Sequence, residues 1–437
     1  MRAAVTRVAR GHGHLLPPVA VVLLLSLPGR LTFADTRIAV ADLASLGLAA
    51  ACATLLARGH RPRPGRRAAV VLAAPALALA AVTMASGDPL AALPGFVRFL
   101  QLFVLVPLAV LLLLRGRRDA RVLLVAVVAL ALFQGALGTA QHLTGTGASY
   151  MGENVRAVGT FGPLTVMGMA TVVSYGLVAA LCLGVAAPVR ASWWRRLAAL
   201  ACAALLAPPL AFSFSRGAWL ATAVAVLAVL VIAACRLTRR TLLALLAGGV
   251  LLAGGAVAAG GAAVGERLGE RVGSIRDVTA SPDQSVTDRY AMWDAALSMW
   301  RDDPWLGTGP RGFAEHRDSH ASLALSGGSD TGGAGEEFRR QELESPHNMY
   351  LLVLAEQGLV GATALVGGWA ALLACCLARL RRTGAPDVGL AATGLLVWQA
   401  VNFLYADIGG PHSVLTAVAL GLGAWWAFSP AARREAR

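Results

Sequence analysis

Residues 94–114 read PGFVRFLQLFVLVPLAVLLLL, and an arginine cluster begins at Arg115, directly after this run. Only Arg98 and Gln101 interrupt the apolar character, so no polar face of the kind that a soluble helix needs is present. At about 1.5 Å per residue, a helix over this stretch is about as long as the hydrocarbon core of a bilayer is thick. The stretch therefore predicts a transmembrane helix.

The same composition extends along most of the chain. Apolar residues make up 57% of the 437 positions and charged residues 14%, against roughly 25% charged in a typical globular domain. The net charge of +14 comes from arginines between the apolar runs, with no basic patch interleaved with aromatic residues. This pattern excludes an ordinary soluble enzyme and argues against a nucleic-acid partner.

Apolar runs of membrane-spanning length predict an all-α polytopic protein with about twelve transmembrane helices. The predicted spans are 15–33, 38–57, 68–86, 94–114, 121–141, 161–187, 197–214, 217–235, 241–264, 359–378, 387–406 and 411–428.

The gaps between these spans alternate between arginine-rich and arginine-poor. The rich gaps hold clusters that include Arg58, Arg115, Arg117, Arg118, Arg121, Arg195, Arg236, Arg379, Arg381 and Arg433. Arginine-rich loops stay in the cytoplasm, so the alternation predicts a multi-pass protein of the cytoplasmic (inner) membrane with both termini inside.

One stretch departs from the apolar pattern and divides the chain into three parts. Residues 265–346 carry fifteen of the 24 acidic residues and nine arginines. We therefore predict spans one to nine over 1–264, a large extracytoplasmic loop with short helices over 265–346, and an interfacial helix with spans ten to twelve over 347–437.

Two arginines on the predicted outer side are candidates for binding an anion. Arg216 lies in Ser213–Trp219 between two spans, where it either binds a ligand or extends to lipid phosphate, with Trp219 as an interface anchor. Arg289 opens a predicted helix over Thr287–Asp302, with Asp288 as its N-cap. The sequence alone leaves both roles of Arg216 open.

Two further outer segments combine polar side chains with special backbone residues. Gly307-Thr308-Gly309 predicts a tight turn whose exposed N–H groups suit an anion, or simply a helix stop. Ser345 as N-cap and Pro346 at the first helical position predict a helix with His347 in its first turn. His316 and His320 have helical metal-ligand spacing, but a solvated helix face explains them better, so no metal site is predicted.

These residues would form a coherent site if they converged. Two guanidinium groups bind a diphosphate through planar bidentate hydrogen bonds, for which lysine offers only a point charge. A neutral imidazole near pH 7 takes a proton from an attacking hydroxyl.

In these motifs the chain resembles the O-antigen ligase/polymerase family of bacterial envelope glycosyltransferases. The matching features are Ser215-Arg216-Gly217, Arg289 with Trp293, Asp303-Pro304-Trp305-Leu306-Gly307-Thr308-Gly309, His347-Asn348 with Gly358, and Arg156 with Gly159-Thr160-Phe161-Gly162-Pro163. Leu164 follows that proline, where the family often has asparagines.

The resemblance implies a GT-C-like fold and transfer of a glycan from an undecaprenyl-diphosphate-linked donor to a hydroxyl acceptor, without cofactor or metal. It implies that Arg216 and Arg289 bind the donor diphosphate and that His347 acts at the acceptor. Substrate-binding candidates are Arg156, Arg311, Asn348, Gly307 and Gly309. The acceptor stays open between lipid, growing polysaccharide and protein hydroxyls.

Two alternatives come from other classes of protein. A transporter or flippase of lipid-linked sugars or small anions would need polar groups at the bilayer midplane. The candidates there are few and uncharged: Gln101, Gln134, Gln399 and Asn402. A scaffold for envelope assembly would not need the Arg216, Arg289 and His347 set.

Overall fold

The structure is a computed structural model that describes residues 13–28, 30–33, 36–59, 64–149, 155–165, 167–188, 191–234, 284–321, 345–383 and 386–434. Its helices, in chain order, are α1 Leu16–Leu23, α2 Val40–Ala57, α3 Arg66–Ala85, α4 Pro89–Leu113, α5 Arg117–Thr144, α6 Met167–Val185, α7 Trp193–Phe212, α8 Arg216–Ala234, α9 Gln284–Asp302, α10 Gly312–His320, α11 Met349–Thr383, α12 Asp387–Asn402, α13 Ser413–Phe428 and α14 Ala431–Arg434.

Within the described ranges, α2 to α8 and α11 are long and apolar enough to cross a membrane. The helical segment Gly13–Ser26 and α13 are apolar but shorter. Eleven of the twelve predicted spans overlap helices, and the predicted span 241–264 lies outside the described residues. The helical membrane architecture is confirmed, while the exact number of spans stays a prediction.

A short β-hairpin is added to the otherwise helical fold. Strands β1 Arg30–Phe33 and β2 Thr36–Ala39 pair antiparallel, with Arg30 opposite Ala39. The predicted span 15–33 was therefore wrong over its last residues, because the helical segment ends at Ser26. Pro28 follows closely, and a proline cannot continue the helical hydrogen bonding.

The helices pack around a core of large aromatic side chains in α6, α12 and α13. Tyr175, Trp398, Trp425 and Trp426 are fully buried. The Tyr175 hydroxyl donates to Gln399 at 2.7 Å, so this polar group is satisfied inside the bundle. On the outside of the bundle, large apolar side chains are exposed, as lipid contact requires: Leu77, Met84, Leu90 and Leu227.

One end of the bundle gathers arginines from separate gaps. Arg121 binds Asp387 through two hydrogen bonds of 2.6 and 3.2 Å. Arg379 donates to the Ser429 carbonyl at 3.2 Å and lies over the Trp426 ring. Arg121 and Arg379 therefore lie at one common end of the bundle, which we call the arginine end.

Candidate active site

At the opposite end of the bundle, α11 is broken by a non-helical residue. Gly358 has φ 57° and ψ −160°. The segment 303–309 lies against the break, and four backbone hydrogen bonds join the two: Thr308 N–H to Ala355 C=O at 3.0 Å, Gly309 N–H to Glu356 C=O at 2.9 Å, Leu359 N–H to Pro304 C=O at 2.9 Å and Val360 N–H to Trp305 C=O at 3.1 Å. These bonds satisfy groups that the broken helix leaves without helical partners.

Glycine is required where these two segments touch. A Cβ at Gly358 would lie 2.3 Å from the Trp305 carbonyl carbon, and one at Gly307 would lie 2.5 Å from the Ala355 oxygen. Both residues also have positive φ, which favours glycine. The two sequence motifs that seemed separate therefore form one backbone junction.

This junction corrects the expected role of the Gly307-Thr308-Gly309 turn. The Gly307 N–H donates to Asp303 at 3.1 Å, and the next two N–H groups bind α11. The turn was expected either to offer these groups to an anion or simply to end a helix, and in the structure the protein backbone uses them. The glycines thus position the loop, and their role in binding substrate stays a prediction.

His347 lies just before α11, not inside it. Its φ is +50°, and the helix begins at Met349. The Asn348 side-chain oxygen accepts the N–H groups of Tyr350 at 3.0 Å and Leu351 at 3.1 Å, which makes Asn348 the N-cap. The prediction that Ser345 caps this helix was wrong, because Asn348 is an equally good cap closer to the first buried turn.

The imidazole of His347 faces a carboxylate that sequence reasoning did not select. His347 Nδ1 lies 3.7 Å from Asp407 Oδ2, and half of the imidazole side chain is exposed (49%). The Ser345 hydroxyl donates to the same Asp407 oxygen, while the Gly409 N–H donates to the other at 2.6 Å. Ser345, His347 and Asp407 therefore form one cluster where α11 begins and α12 ends.

The Asp407 carboxyl stays ionised in this cluster. Burial alone would raise its pKa, but the neighbouring His347 and the hydrogen-bond donors Ser345 and Gly409 lower the pKa to about 2. In the sequence, Asp407 lies in an arginine-poor gap and belongs to none of the motifs described above. The available signal was its setting in Asp407-Ile408-Gly409-Gly410, a polar turn between two spans.

Arg216 begins α8 close to the turn that carries Asp407. A Cβ on the next residue, Gly217, would lie 2.8 Å from the Tyr405 Cβ, so the start of α8 packs directly on this turn. Arg216 is half-buried. Trp219 donates its ring N–H to the Leu210 carbonyl at 2.8 Å and so fixes the bend before α8.

Arg289 is held near His347 through α9. Trp293, one turn after Arg289, donates its ring N–H to the Pro346 carbonyl at 2.9 Å. Arg289 itself is half-buried. The helix was predicted over 287–302 and extends over Gln284–Asp302, so Asp288 lies within it and is not its N-cap.

Arg156 belongs to a loop that packs on the segment before Arg216. The Ala157 N–H donates to the Phe212 carbonyl at 3.0 Å, and Arg156 pairs with Ala148 in an isolated β-bridge. The Gln141 side chain accepts the N–H of Gly159 at 2.8 Å and fixes this loop to α5. Arg156 is half-buried.

Arg311 lies beside the α11 break, against Glu356. It has φ +68° and an exposed side chain, and its backbone N–H binds the Glu356 carboxylate. The Phe313 N–H donates to the same carboxylate at 3.3 Å. The structure thus brings Arg216, Arg289, Arg156 and His347 to one end of the bundle, while the described contacts of Arg311 join it to Glu356.

His316 and His320, in and at the end of α10, make local structural contacts. His316 Nδ1 lies 3.0 Å from the Gly312 carbonyl, and His320 Nδ1 lies 3.0 Å from the Ser298 hydroxyl. Among the residues that the structure describes, no three metal-ligating side chains come together.

The comparison with known families matches this part of the chain. The family model described as O-antigen ligase matches residues 201–366, so this part of the chain is similar to that family. The matched stretch contains Arg216, Arg289, the Gly307 loop, His347 and the α11 break, while Arg156 lies outside it. A search of the curated proteins found no relative of the chain.

Proposed function

We propose that this chain is a membrane glycosyltransferase of the O-antigen ligase family. It transfers a glycan from an undecaprenyl-diphosphate-linked donor to a hydroxyl acceptor. The reaction takes place at the outer face of the cytoplasmic membrane, with both termini in the cytoplasm. The acceptor is the hydroxyl of a glycan, a lipid or a protein.

The observation that carries this proposal is the convergence at one end of the bundle. The start of α8 packs on the Asp407 turn, α9 is bonded to Pro346, and His347 faces Asp407 at 3.7 Å. Three segments far apart in the sequence thus place two arginines and a histidine around one region. This end lies opposite the arginine end, as an extracytoplasmic site requires under the positive-inside rule.

Each side chain has a distinct role in the proposed reaction. Arg216 and Arg289 bind the donor diphosphate and stabilise the negative charge that develops on it as it departs. His347 accepts the proton of the acceptor hydroxyl while that oxygen attacks the anomeric carbon. The new C–O bond forms as the bond to phosphate breaks, so the anomeric configuration inverts and undecaprenyl diphosphate leaves.

Asp407 acts through His347. Since its carboxyl has a pKa of about 2, it carries a negative charge at neutral pH. Its charge stabilises the imidazolium that forms when His347 takes the proton, and its position orients the ring. Ser345 and Gly409 hold the carboxylate in place.

No observation favours transport. Three of the four polar side chains predicted at the midplane bind the protein: Gln101 binds Ser45 at 2.5 Å, Gln134 binds Thr160 at 2.7 Å and Gln399 binds Tyr175 at 2.7 Å. The fourth, Asn402, is uncharged, and its buried Oδ1 has no hydrogen-bond partner among the described residues. Arg98 likewise pairs with Asp42 at 2.5 Å.

The proposal is tested by separating donor binding from transfer in purified variants. Arg216→Ala and Arg289→Ala should lose both donor binding and transfer. Lysine at either position should restore little of either activity, because the bidentate geometry is lost. His347→Ala should lower turnover by about 10²–10⁴-fold while donor binding survives. Arg301→Ala is the matched control, since Arg301 is exposed on the same helix as Arg289.

The readouts are transfer of a labelled glycan and retention of the lipid-linked donor on the protein. Wild-type donor binding by both Arg216→Ala and Arg289→Ala would show that these arginines do not bind the donor diphosphate. Wild-type turnover in His347→Ala would leave His347 as a polar residue beside a helix start.

A further inference from the structure

A polar groove lies beside the α11 junction, outside the cluster around His347. Its volume is about 260 Å³, and it runs between the α3–α4 turn and the start of α10. Its polar lining comes from Ser86, Asp88, Thr308, Glu315 and His316. We call this the outer groove.

Several polar atoms of the outer groove are free to bind a ligand. Glu315 is exposed and has no hydrogen bond or ion pair to any residue that the structure describes. The Nδ1 atom of His316 contacts the Gly312 carbonyl, and no residue that the structure describes forms a hydrogen bond or ion pair with its Nε2 atom. Asp88 accepts the N–H groups of Leu90 and Ala91, both with Oδ1 at 3.0 Å. The lining thus offers carboxylate oxygens and a ring nitrogen.

The charge of the lining selects the class of ligand. Two carboxylates and no arginine line the groove, although the chain carries a net charge of +14. A diphosphate or an acidic sugar would meet repulsion here, whereas hydroxyl or amino groups donate charge-assisted hydrogen bonds to carboxylates. The volume approaches the lower end of the roughly 300–1,000 Å³ typical of ligand pockets, which suits one sugar ring.

The position of the groove relates it to the proposed reaction. Thr308 lines the groove and donates its N–H to Ala355, six residues after Met349 at the start of α11. At about 1.5 Å per residue, the groove lies roughly 9 Å along the helix from the His347 end. A single sugar cannot reach both places, but an oligosaccharide can.

We propose that the outer groove is a sugar-binding subsite for a neutral or amino sugar of a glycan substrate, away from the reacting end. This proposal rests on the proposed glycosyltransferase function. Glu315 and Asp88 accept hydroxyl or amino hydrogens, and His316 Nε2 completes the set. The glycan belongs to either the acceptor or the donor, since both carry the same chemistry.

The binding test needs no transfer reaction. Saturation-transfer NMR on the purified full chain is run with maltotriose, a glucosamine trimer and trigalacturonate as probes. The wild type should bind the first two and not the acidic trimer, and Glu315→Gln should bind about tenfold more weakly. Asp318→Asn is the control, because Asp318 is exposed on the same helix but does not line the groove.

Three results would overturn the subsite: equal binding by Glu315→Gln and wild type, equal binding of trigalacturonate, or no binding of any trimer. Kinetics then identify the source of the glycan, since a raised acceptor KM in Glu315→Gln indicates the acceptor and a raised donor KM the donor. A change in neither KM would overturn the link to transfer. Because binding is read without turnover, failure of the subsite and failure of the proposed function are distinguishable.

Discussion

At the scale of single residues, the proposed chemistry depends on a pair that the sequence does not reveal. His347 and Asp407 are sixty residues apart, and only the fold brings the imidazole within 3.7 Å of the carboxylate. The sequence did predict Arg216, Arg289 and His347 as site residues, because their motifs resemble those of a known family. Asp407 lacked such a motif, and its role depends on tertiary contacts alone.

The role of Asp407 is tested by Asp407→Asn. We expect turnover to fall by about 10- to 100-fold, the usual effect of removing a group that orients a functional side chain. Donor retention should stay at the wild-type level, because the proposed donor contacts are Arg216 and Arg289. The measurement is turnover and donor retention for wild type and variant.

Ser345→Ala is the matched comparison for this variant. It removes one donor to Asp407 but leaves the carboxylate facing His347, so its turnover should stay close to that of the wild type. Since the pKa of Asp407 is about 2, the carboxylate stays ionised above about pH 4, and the comparison is made at neutral pH. Wild-type turnover in Asp407→Asn would contradict the positioning role.

At the scale of elements, apolar run length predicted the helices well and their ends poorly. The predicted span 161–187 begins late in the structure, because short 3₁₀ turns continue through Thr165 before α6 starts at Met167. Similarly, α11 starts at Met349 under an Asn348 cap rather than at Pro346. Helix ends depend on caps and tertiary contacts, which hydropathy does not record.

The junction at Gly358 gives a prediction about stability. Gly358→Ala should destabilise the protein, since positive φ with this ψ strains alanine by about 1–3 kcal/mol and the new Cβ would collide with Trp305. Gly367→Ala in the same helix should be neutral or slightly stabilising, because a Cβ there meets nothing within 4 Å.

Thermal unfolding in detergent measures both glycine variants, and hydrogen exchange over residues 303–309 reports on the docked loop. Faster exchange is expected for the Gly358→Ala protein alone. Equal unfolding temperatures and equal exchange in the two variants would contradict the junction.

At the scale of the whole molecule, the arginine pattern predicted which helix ends share a side. Arg121 and Arg379 come from separate gaps, yet their partners Asp387 and Ser429 lie at the same end of the bundle. The pattern works because arginine clusters between apolar runs are set by membrane insertion, which acts on every loop in turn. It cannot show how the outer segments fold on each other, because that depends on packing.

Cysteine labelling tests the orientation of the bundle. In a background without native cysteines, a membrane-impermeant maleimide should label Asp318→Cys in cells whose inner membrane is intact. It should label Arg382→Cys only after that membrane is opened. Both positions are exposed, so access decides the result. The reverse order of labelling would place the candidate site in the cytoplasm.

The most direct test of the central claim is transfer by the purified wild-type chain in liposomes. The donor is a labelled glycan on undecaprenyl diphosphate, and the acceptor is a fraction of the same cell envelope. We predict one undecaprenyl diphosphate released for each glycosidic bond formed, with inverted anomeric configuration. A lipid-linked donor that crosses the bilayer intact, with no glycan transferred, would contradict the account.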